Sequence, residues 1–277
     1  MVGAAAGDPQ GAALNAGREP IFRRDGDRFV PTGHARGPWD PDAVHGGAPA
    51  ALAAEAIVAL QPDADMAIVR LTCEFLGPVP LAPLAVGAEV VRDGRRQQLV
   101  EAEVLAGERT AVRARAVRLR RADVDLPAEL LEAEPPPGGG PEQAAADASP
   151  WGEGEAFHRT GMELRFAGGT DFGLGPGLAW LRLARPLVDD EPVSPVARVA
   201  AAADFTNGVS RVLEFHDHLF VNTELSIHLL REPGGEWVLL DARTHLARTG
   251  AGLAEARLFD PRGRIGAAAQ ALFVDRR

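Results

Sequence analysis

Lysine and tyrosine are both missing from the 277-residue chain, and cysteine occurs once, as Cys73. Without lysine there is no amine for Schiff-base chemistry and no lysine for a phosphate-binding loop. The lack of tyrosine excludes reductase mechanisms that depend on a Tyr–Lys pair. A single cysteine can form neither an internal disulfide nor a cysteine-based zinc site, which favours a reducing compartment.

Membrane and nucleic-acid signals are also missing. No apolar run approaches the roughly 20 residues that a membrane-spanning helix needs. The first residues lack the basic and apolar regions of a signal peptide. The net charge of −10 opposes a chain-wide attraction to nucleic acid or to an anionic membrane. We therefore expect a cytoplasmic protein that neither binds nucleic acid nor inserts into a membrane.

A segment rich in proline, glycine and alanine divides the chain. Residues 126–156 contain three consecutive prolines, 135–137, followed by three glycines, and this composition predicts a linker that does not order itself. The small residues of 1–19 predict a flexible N-terminus. The remaining ranges, 20–125 and 157–277, are of similar size, and we expect each to form one domain.

The two expected domains carry a faint internal repeat. A shift of 154 positions places Leu71-Thr72 on Leu225-Ser226 and residues 99–102 on residues 253–256 without a gap. Both halves also have the same order of elements, which is a strand, a helix and then several strands. Self-similarity at a fixed shift indicates that one structural unit occurs twice.

Hydrophobic patterning and turn residues predict the individual elements. In the first half a strand pair is expected at 22–32 around the turn Asp25-Gly26, and a helix at 49–60 with proline in its first turn. In the second half Ser194-Pro195 caps and starts a helix that ends near Phe205. The other predicted strands, in chain order, are 67–75, 85–93, 97–105, 110–120, 178–183, 223–230, 237–247, 252–259 and 265–274.

Both predicted helices are apolar on nearly every side, since the first carries only Glu55 and the second only Arg198 and Asp204. Such a helix must be buried on most faces, and the only element in each half that can surround it is the antiparallel sheet. The sequence therefore predicts an α+β protein with a double hotdog fold, in which each of two sheets wraps around a central helix.

Two groups of residues resemble the acyl-CoA thioesterase II-like family. Gly37-Pro38-Trp39-Asp40-Pro41 and His45-Gly46-Gly47, followed by an alanine-rich helix, are similar to the N-terminal hotdog of that family. Ala203-Asp204-Phe205, Asn222-Thr223 and Ala269-Gln270 are similar to its C-terminal hotdog. The resemblance extends over residues 20–277. It implies hydrolysis of fatty acyl-CoA to free fatty acid and CoA, with no cofactor.

The same resemblance implies a catalytic group. In this family an aspartate, a threonine or serine, and a glutamine of the second hotdog hold a water against the thioester carbonyl. The aspartate corresponds to Asp204 and the glutamine to Gln270. Alignment on Ser226 puts Asn222 where the hydroxyl is expected, and neighbouring strand residues face opposite sides of a sheet. Either Asn222 replaces the hydroxyl, or a bulge or register shift brings in Thr223, and we favour Thr223.

The residues before the first helix are candidates for substrate binding. Backbone amides at a helix N-terminus can stabilise a developing oxyanion, so Gly46 and Gly47 are expected near the thioester. The same glycines also suit a tight turn into the helix. His45, directly before these glycines, is also a candidate for substrate binding, although a purely structural role is the simpler interpretation. The segment 216–218 has two histidines and an aspartate but no third partner in view, so no metal site is expected.

Three functional hypotheses follow. The first is a thioesterase in which water attacks the thioester directly and no covalent enzyme intermediate forms. The second is a hotdog hydratase or dehydratase, which would need a histidine close to Asp204, and none follows it before His216. The third is a non-catalytic protein that binds acyl groups or acyl-CoA, favoured mainly by Asn222 at the hydroxyl position.

The two halves are not expected to be equivalent. Gln270 maps near Ala114 or Arg115 in the first half, which predicts that only the second half carries a complete catalytic group. By resemblance the two hotdogs form an internal dimer, and we expect a homo-oligomer in which two such chains associate. The expected partner is an acyl-CoA or another acyl-thioester substrate.

Overall fold

The computed structural model describes residues 17–60, 65–131, 134–146, 153–169, 173–189 and 191–277. Most of the predicted flexible N-terminus, residues 1–16, lies outside these ranges. Within the described part of the chain, no helix is both long enough and apolar enough to cross a membrane.

The first half consists of a short hairpin, one helix and four longer strands. Glycine at position 26 has a positive φ of 58°, which allows the tight turn between the first two strands. The predicted helix and strands agree with the observed ones to within two residues. The elements are β1 (Phe22–Asp25), β2 (Arg28–Pro31), α1 (Gly47–Ala59), β3 (Met66–Phe75), β4 (Leu84–Arg92), β5 (Gln97–Ala106) and β6 (Arg109–Arg120).

The second half repeats this order and adds several short elements. The Ser194 hydroxyl accepts a hydrogen bond from the amide of Ala197 at 3.2 Å, so the predicted helix cap is confirmed. Four of these elements were not predicted: β7, β8, β10 and α3. The elements are β7 (Ala145–Ala146), β8 (Met162–Gly169), β9 (Gly177–Leu183), α2 (Pro195–Ala203), α3 (Thr206–Val209), β10 (His218–Asn222), β11 (Glu224–Leu229), β12 (Val238–Leu246), β13 (Ala251–Asp260) and β14 (Gly263–Arg276).

The described strands form one large antiparallel sheet. Its order is β1-β2-β4-β5-β6-β3-β11-β14-β13-β12-β9-β8-β7, and β10 also pairs with β14. Strands β3 and β11 therefore join the two halves in the middle. Ser226 pairs with Thr72 there, and these two residues are related by the shift of 154 positions. The register of the sheet agrees with the internal repeat.

The two long helices pack against each other in opposite directions, each covered by strands of its own half. Helix α1 lies against β4, β5 and β6, and α2 lies against β9 and β12. The start of α1 meets the end of α2 so closely that a Cβ atom on Gly47 would lie 2.7 Å from the carbonyl oxygen of Ala201. The side chains of both helices are mostly buried, as their apolar composition predicts.

Residues 134–146 contradict the prediction that 126–156 is a linker without order. Glu134 forms an ion pair with Arg264 at 3.0 Å, and the Gly139 carbonyl accepts a hydrogen bond from the Trp180 indole at 3.1 Å. Strand β7 extends the sheet beside β8. The segment is ordered because it covers a second apolar cluster, on the sheet of the second half, which is formed by Trp180, Leu239 and Phe259.

Candidate active site

A cavity of about 420 Å³ lies where the start of α1 meets the end of α2. Both halves of the chain contribute to its wall. Most of that wall is aromatic or aliphatic, with Trp39, Val44, Phe75, Val79, Phe205, Phe215, Val221 and Phe273. The polar side chains in the lining are Asp40, His45, His158, Asp204, Asn207, Asn222 and Thr223. The cavity is suited to an apolar ligand with one polar reacting group.

Asp204 lies directly after α2, and its carboxylate is held by side chains from three other segments. Its Oδ2 atom lies 2.9 Å from His45 Nδ1. Its Oδ1 atom accepts a hydrogen bond from Asn222 Nδ2 at 2.8 Å and a longer one from Gln270 Nε2 at 3.4 Å. The side chain is only 3% exposed, so these partners replace the water that a free carboxylate would bind.

Gln270 is fully buried and does not belong to the cavity lining. Its amide nitrogen donates to the main-chain carbonyl of Asp204 at 3.1 Å, and its amide oxygen accepts from the backbone N–H of Asn207 at 3.0 Å. It thus connects the end of α2 to the start of α3. The structure therefore puts Gln270 behind Asp204, where it fixes the backbone, rather than in contact with the cavity.

Asn222 and Thr223 both line the cavity, but they differ in their contact with Asp204. Asn222 contacts the carboxylate of Asp204, whereas the hydroxyl of Thr223 donates to the carbonyl of Ala271 at 3.3 Å and its side chain is exposed. The expected irregularity is present, because Asn222 pairs with Leu272 but Ser226 pairs with Ala269 on β14. The five residues 222–226 thus lie opposite the four residues 269–272, and this bulge leaves Asn222 in contact with Asp204.

The two glycines before α1 differ in their surroundings. Gly46 lines the cavity, and a Cβ atom there would lie 2.9 Å from Asp204 Oδ2. Gly47 is buried against α2, where it permits the close approach of the two helices. Of the two residues expected near the thioester, only Gly46 lies at the cavity wall.

His45 is closer to Asp204 than its sequence position suggests. Its ring stacks on Phe205 with a centroid distance of 4.6 Å and an interplanar angle of 21°, and it also contacts Phe157. The sequence gives no signal for the contact with Asp204, because the two residues lie in different halves and meet only where the helices cross. A histidine paired with a buried carboxylate can accept and return a proton.

His158 is a second histidine in the cavity lining. Burial, together with the neighbouring His45 and Arg159, lowers the pKa of His158 to about 3. Its imidazole is therefore neutral near pH 7, and it adds no positive charge to the cavity.

One group of described residues outside the cavity offers three metal-ligating atoms within 4.8 Å of one another: Glu19, His34 and Glu155. His34 Nδ1 already lies 2.8 Å from the hydroxyl of Thr160, and Glu19 pairs with Arg23 at 2.5 Å. Burial lowers the pKa of His34, and the nearby Arg185 acts in the same direction. These contacts account for the group as an ionic cluster, and no part of the site described above depends on it.

The sequence matches one protein family over most of its length. Residues 35–119 match the model described as the acyl-CoA thioesterase N-terminal domain, and residues 132–274 match the acyl-CoA thioesterase C-terminal domain. The second match alone spans slightly more than half of the chain. No curated protein matches the sequence significantly.

Solved structures share the fold at low sequence identity. A proposed thioesterase from Novosphingobium aromaticivorans is 23% identical with a TM-score of 0.69, over 92% of this chain and 98% of that one. A hotdog-fold protein of unknown function from Alicyclobacillus acidocaldarius is 17% identical with a TM-score of 0.68, over 92% and 95%. Acyl-CoA thioesterase II TesB2 from Mycobacterium marinum is 18% identical with a TM-score of 0.59, over 84% and 89%. These similarities show a hotdog fold.

Proposed function

Because this chain belongs to the acyl-CoA thioesterase family, we propose that it hydrolyses fatty acyl-CoA to free fatty acid and CoA in the cavity beside Asp204. Family membership makes the protein a thioester hydrolase. The acyl-CoA substrate, the residues that act and the arrangement of the halves as a double hotdog are parts of the proposal.

The observation that carries the proposal is the buried carboxylate of Asp204 at the wall of an apolar cavity. His45 and Asn222 contact its two oxygen atoms. A carboxylate fixed in this way, next to space for an acyl group, supplies charge at one defined point of a cavity whose wall is mostly apolar.

The proposed reaction needs no covalent enzyme intermediate. A water attacks the thioester carbonyl carbon while the negative charge of Asp204 favours loss of its proton. We assign the stabilisation of the oxyanion to the backbone amide of Gly46, ahead of Gly47, because Gly46 lines the cavity. Asn222 and Gln270 hold Asp204 in place.

The apolar wall supports an acyl chain as the group that fills the cavity. Each methylene that leaves water for such a surface contributes about 0.8 kcal/mol. We therefore expect kcat/KM to rise with acyl length until the cavity of about 420 Å³ is filled.

A second candidate function is reversible hydration of a 2-enoyl thioester. The observation in its favour is the contact between His45 and Asp204, because this supplies the histidine that the sequence around Asp204 lacks. Loss of the conjugated enoyl absorbance without thiol release would support this reaction instead.

The test of the proposed function is thiol release from a panel of acyl-CoAs from short to long, with the unaltered protein and with Asp204→Ala. We expect turnover that peaks at one chain length and falls by about 10²–10⁴-fold in the variant, as for loss of a general acid–base group. Asp27→Ala is the matched control, since Asp27 lies in an exposed hairpin turn.

Three results would argue against this proposal. Absence of turnover on every chain length, with thermal stabilisation by acyl-CoA, indicates the non-catalytic binding protein. Full activity in a folded Asp204→Ala variant places the reaction elsewhere in the molecule. Activity only on enoyl thioesters indicates the hydratase.

A further inference from the structure

We propose that His45 is the catalytic residue that accepts the proton of the attacking water, and that Asp204 is a positioning residue that acts through it. The inference rests on the proposed hydrolysis and concerns the same cavity. It reverses the roles that the resemblance implied, in which the aspartate meets the water and the histidine is at most a binding residue.

Access to the cavity differs between the two side chains. The side chain of Asp204 is 3% exposed and that of His45 is 11% exposed. Asp204 Oδ1 accepts from Asn222 and Gln270, and Oδ2 faces His45 Nδ1. A water in the cavity therefore meets the imidazole more readily than a carboxylate whose two oxygens already have partners.

The proton on the imidazole decides which nitrogen can act. His45 Nδ1 lies 2.9 Å from Asp204 Oδ2 and 3.2 Å from the amide nitrogen of Gly47. Nδ1 cannot donate to the carboxylate and accept from the amide at once. The shorter bond to a charged acceptor is the stronger one, so Nδ1 carries the proton. The other ring nitrogen, Nε2, then has a free lone pair.

The ring is also held in one orientation. Phe205 stacks on it at 4.6 Å, and Phe157 contacts it at 5.0 Å between ring centroids. The second histidine nearby, His158, remains neutral because its pKa is about 3, and it adds no positive charge beside the ring. A fixed ring beside one carboxylate is the arrangement that general base catalysis requires.

The proposed step balances as follows. The water oxygen bonds to the thioester carbonyl carbon, one water proton moves to His45 Nε2, and the carbonyl π electrons move to the carbonyl oxygen. The tetrahedral intermediate then reforms the carbonyl and breaks the C–S bond. The leaving thiolate receives the proton from Nε2, which gives the acid, free CoA and the neutral imidazole.

The main test is His45→Asn measured beside the unaltered protein on its best acyl-CoA. The asparagine amide replaces Nδ1 as a donor to Asp204 but has no counterpart of Nε2. We expect kcat to fall by about 10²–10⁴-fold, with KM changed by only a few-fold. His228→Asn, at an exposed position on β11, is the control for histidine loss.

A kcat within a few-fold of the unaltered protein in His45→Asn would overturn the proposal, because the contact with Asp204 alone would then suffice. His45→Ala offers a second readout: added imidazole should restore part of its turnover if the ring transfers a proton. Failure of imidazole to restore any turnover in the folded variant would count against the assignment.

A measurement on the unaltered protein covers the case in which the variants do not fold. Nitrogen NMR of histidine-labelled protein should show that the neutral form of His45 carries its proton on Nδ1 and none on Nε2. The opposite tautomer would overturn the proposal. Absence of any thioester turnover by the unaltered protein would instead overturn the proposed function, so the two failures are distinguishable.

Discussion

The two ends of the antiparallel helix pair are built from corresponding parts of the repeat, yet they differ in what occupies them. At one end, the start of α1 and the end of α2 border the cavity of about 420 Å³ with His45 and Asp204 in its wall. At the other end, the start of α2 and the end of α1 border a space of about 160 Å³.

The second end is closed by its own side chains. Glu55 of α1 accepts a hydrogen bond from the backbone amide of Ser194 at 2.6 Å, which satisfies the start of α2. Arg118 donates to the main-chain carbonyls of Ile57 and Leu60, which satisfies the end of α1. Among the described residues, no comparable side chain fills the space between the start of α1 and the end of α2. A ligand can therefore occupy that end.

The repeat register explains part of this difference. The same shift of 154 positions places Asn222 on Ile68 and Gln270 on Ala116, one residue beyond the Ala114 or Arg115 expected from the sequence. Ala254 pairs with Gln270 as Val100 pairs with Ala116. Apolar residues thus stand in the first half where the second half has polar groups that hold Asp204. The duplicated scaffold supplies two helix ends, and substitution of a few side chains makes only one of them a chemical site.

The largest effect on the difference between the two ends is expected when Gln270 is removed, because the first half has no polar counterpart of this residue. Gln270→Ala leaves the buried Asn207 amide and Asp204 carbonyl without their partner. We expect a loss of about 1–3 kcal/mol in the free energy of unfolding. A small displacement of Asp204 should lower kcat by about 10²-fold.

Gln98→Ala is the matched control for this variant, because Gln98 is a buried glutamine of the first half that donates to Asp93 at 2.8 Å. Chemical denaturation and thiol-release assays on both variants separate stability from turnover. Equal kcat values for Gln270→Ala and the unaltered protein would show that the asymmetry between the halves does not concern catalysis.

A smaller effect is expected from the strand that carries the other polar partner. Asn222→Ala removes a hydrogen bond of 2.8 Å to a charged group, which corresponds to about a tenfold to hundredfold loss of kcat. Thr223→Ala should change kcat by less than about twofold, because among the described residues its hydroxyl bonds the Ala271 carbonyl and not Asp204. A larger loss in Thr223→Ala than in Asn222→Ala would reverse the choice between these neighbours.

The smallest effect on turnover is expected at the closed end. Burial raises the pKa of the Glu55 carboxyl above its ordinary value of 4.5. A raised pKa means that the folded state binds the proton more tightly, so the stability that protonation provides is fully present below pH 4.5 and is lost as pH rises through the folded pKa. Glu55→Gln should not show this loss of stability with rising pH, because glutamine does not titrate. Its side-chain carbonyl can still accept the hydrogen bond from the backbone N–H of Ser194.

We therefore expect Glu55→Gln to gain stability relative to the unaltered protein as pH increases, with kcat unchanged within about twofold. Denaturation curves at several pH values and a thiol-release assay check both parts. A collapse of turnover in this variant would mean that the closed end takes part in catalysis.

Much of the fold could be predicted because its signals are local. Alternation of apolar residues defined nine strands to within two residues, and Ser194-Pro195 defined the start of α2. β8 was missed although Met162, Leu164 and Phe166 alternate with polar residues. β10 was missed because it begins at His218, within the polar segment 216–218, which is typical of a loop. The order in 134–146 was missed because composition does not show that an apolar cluster on the sheet needs a cover.

The site could be predicted only in part. Asp204, Gln270, Asn222 and Gly46 were identified by resemblance, and the structure brings them together. Their contacts could not be predicted, since Gln270 lies behind Asp204, outside the cavity lining, and the Thr223 hydroxyl bonds Ala271 rather than Asp204.

The sequence by itself determined most of the elements and the burial of both helices, because these depend on patterns within a short window, and it showed the twofold repeat as similarity at a fixed shift. Only the tertiary structure decided that His45 contacts Asp204, that Asn222 rather than Thr223 faces it, and that one end of the helix pair is open. These outcomes depend on contacts between residues far apart in the chain, whose distances are set by how two helices and one sheet pack together.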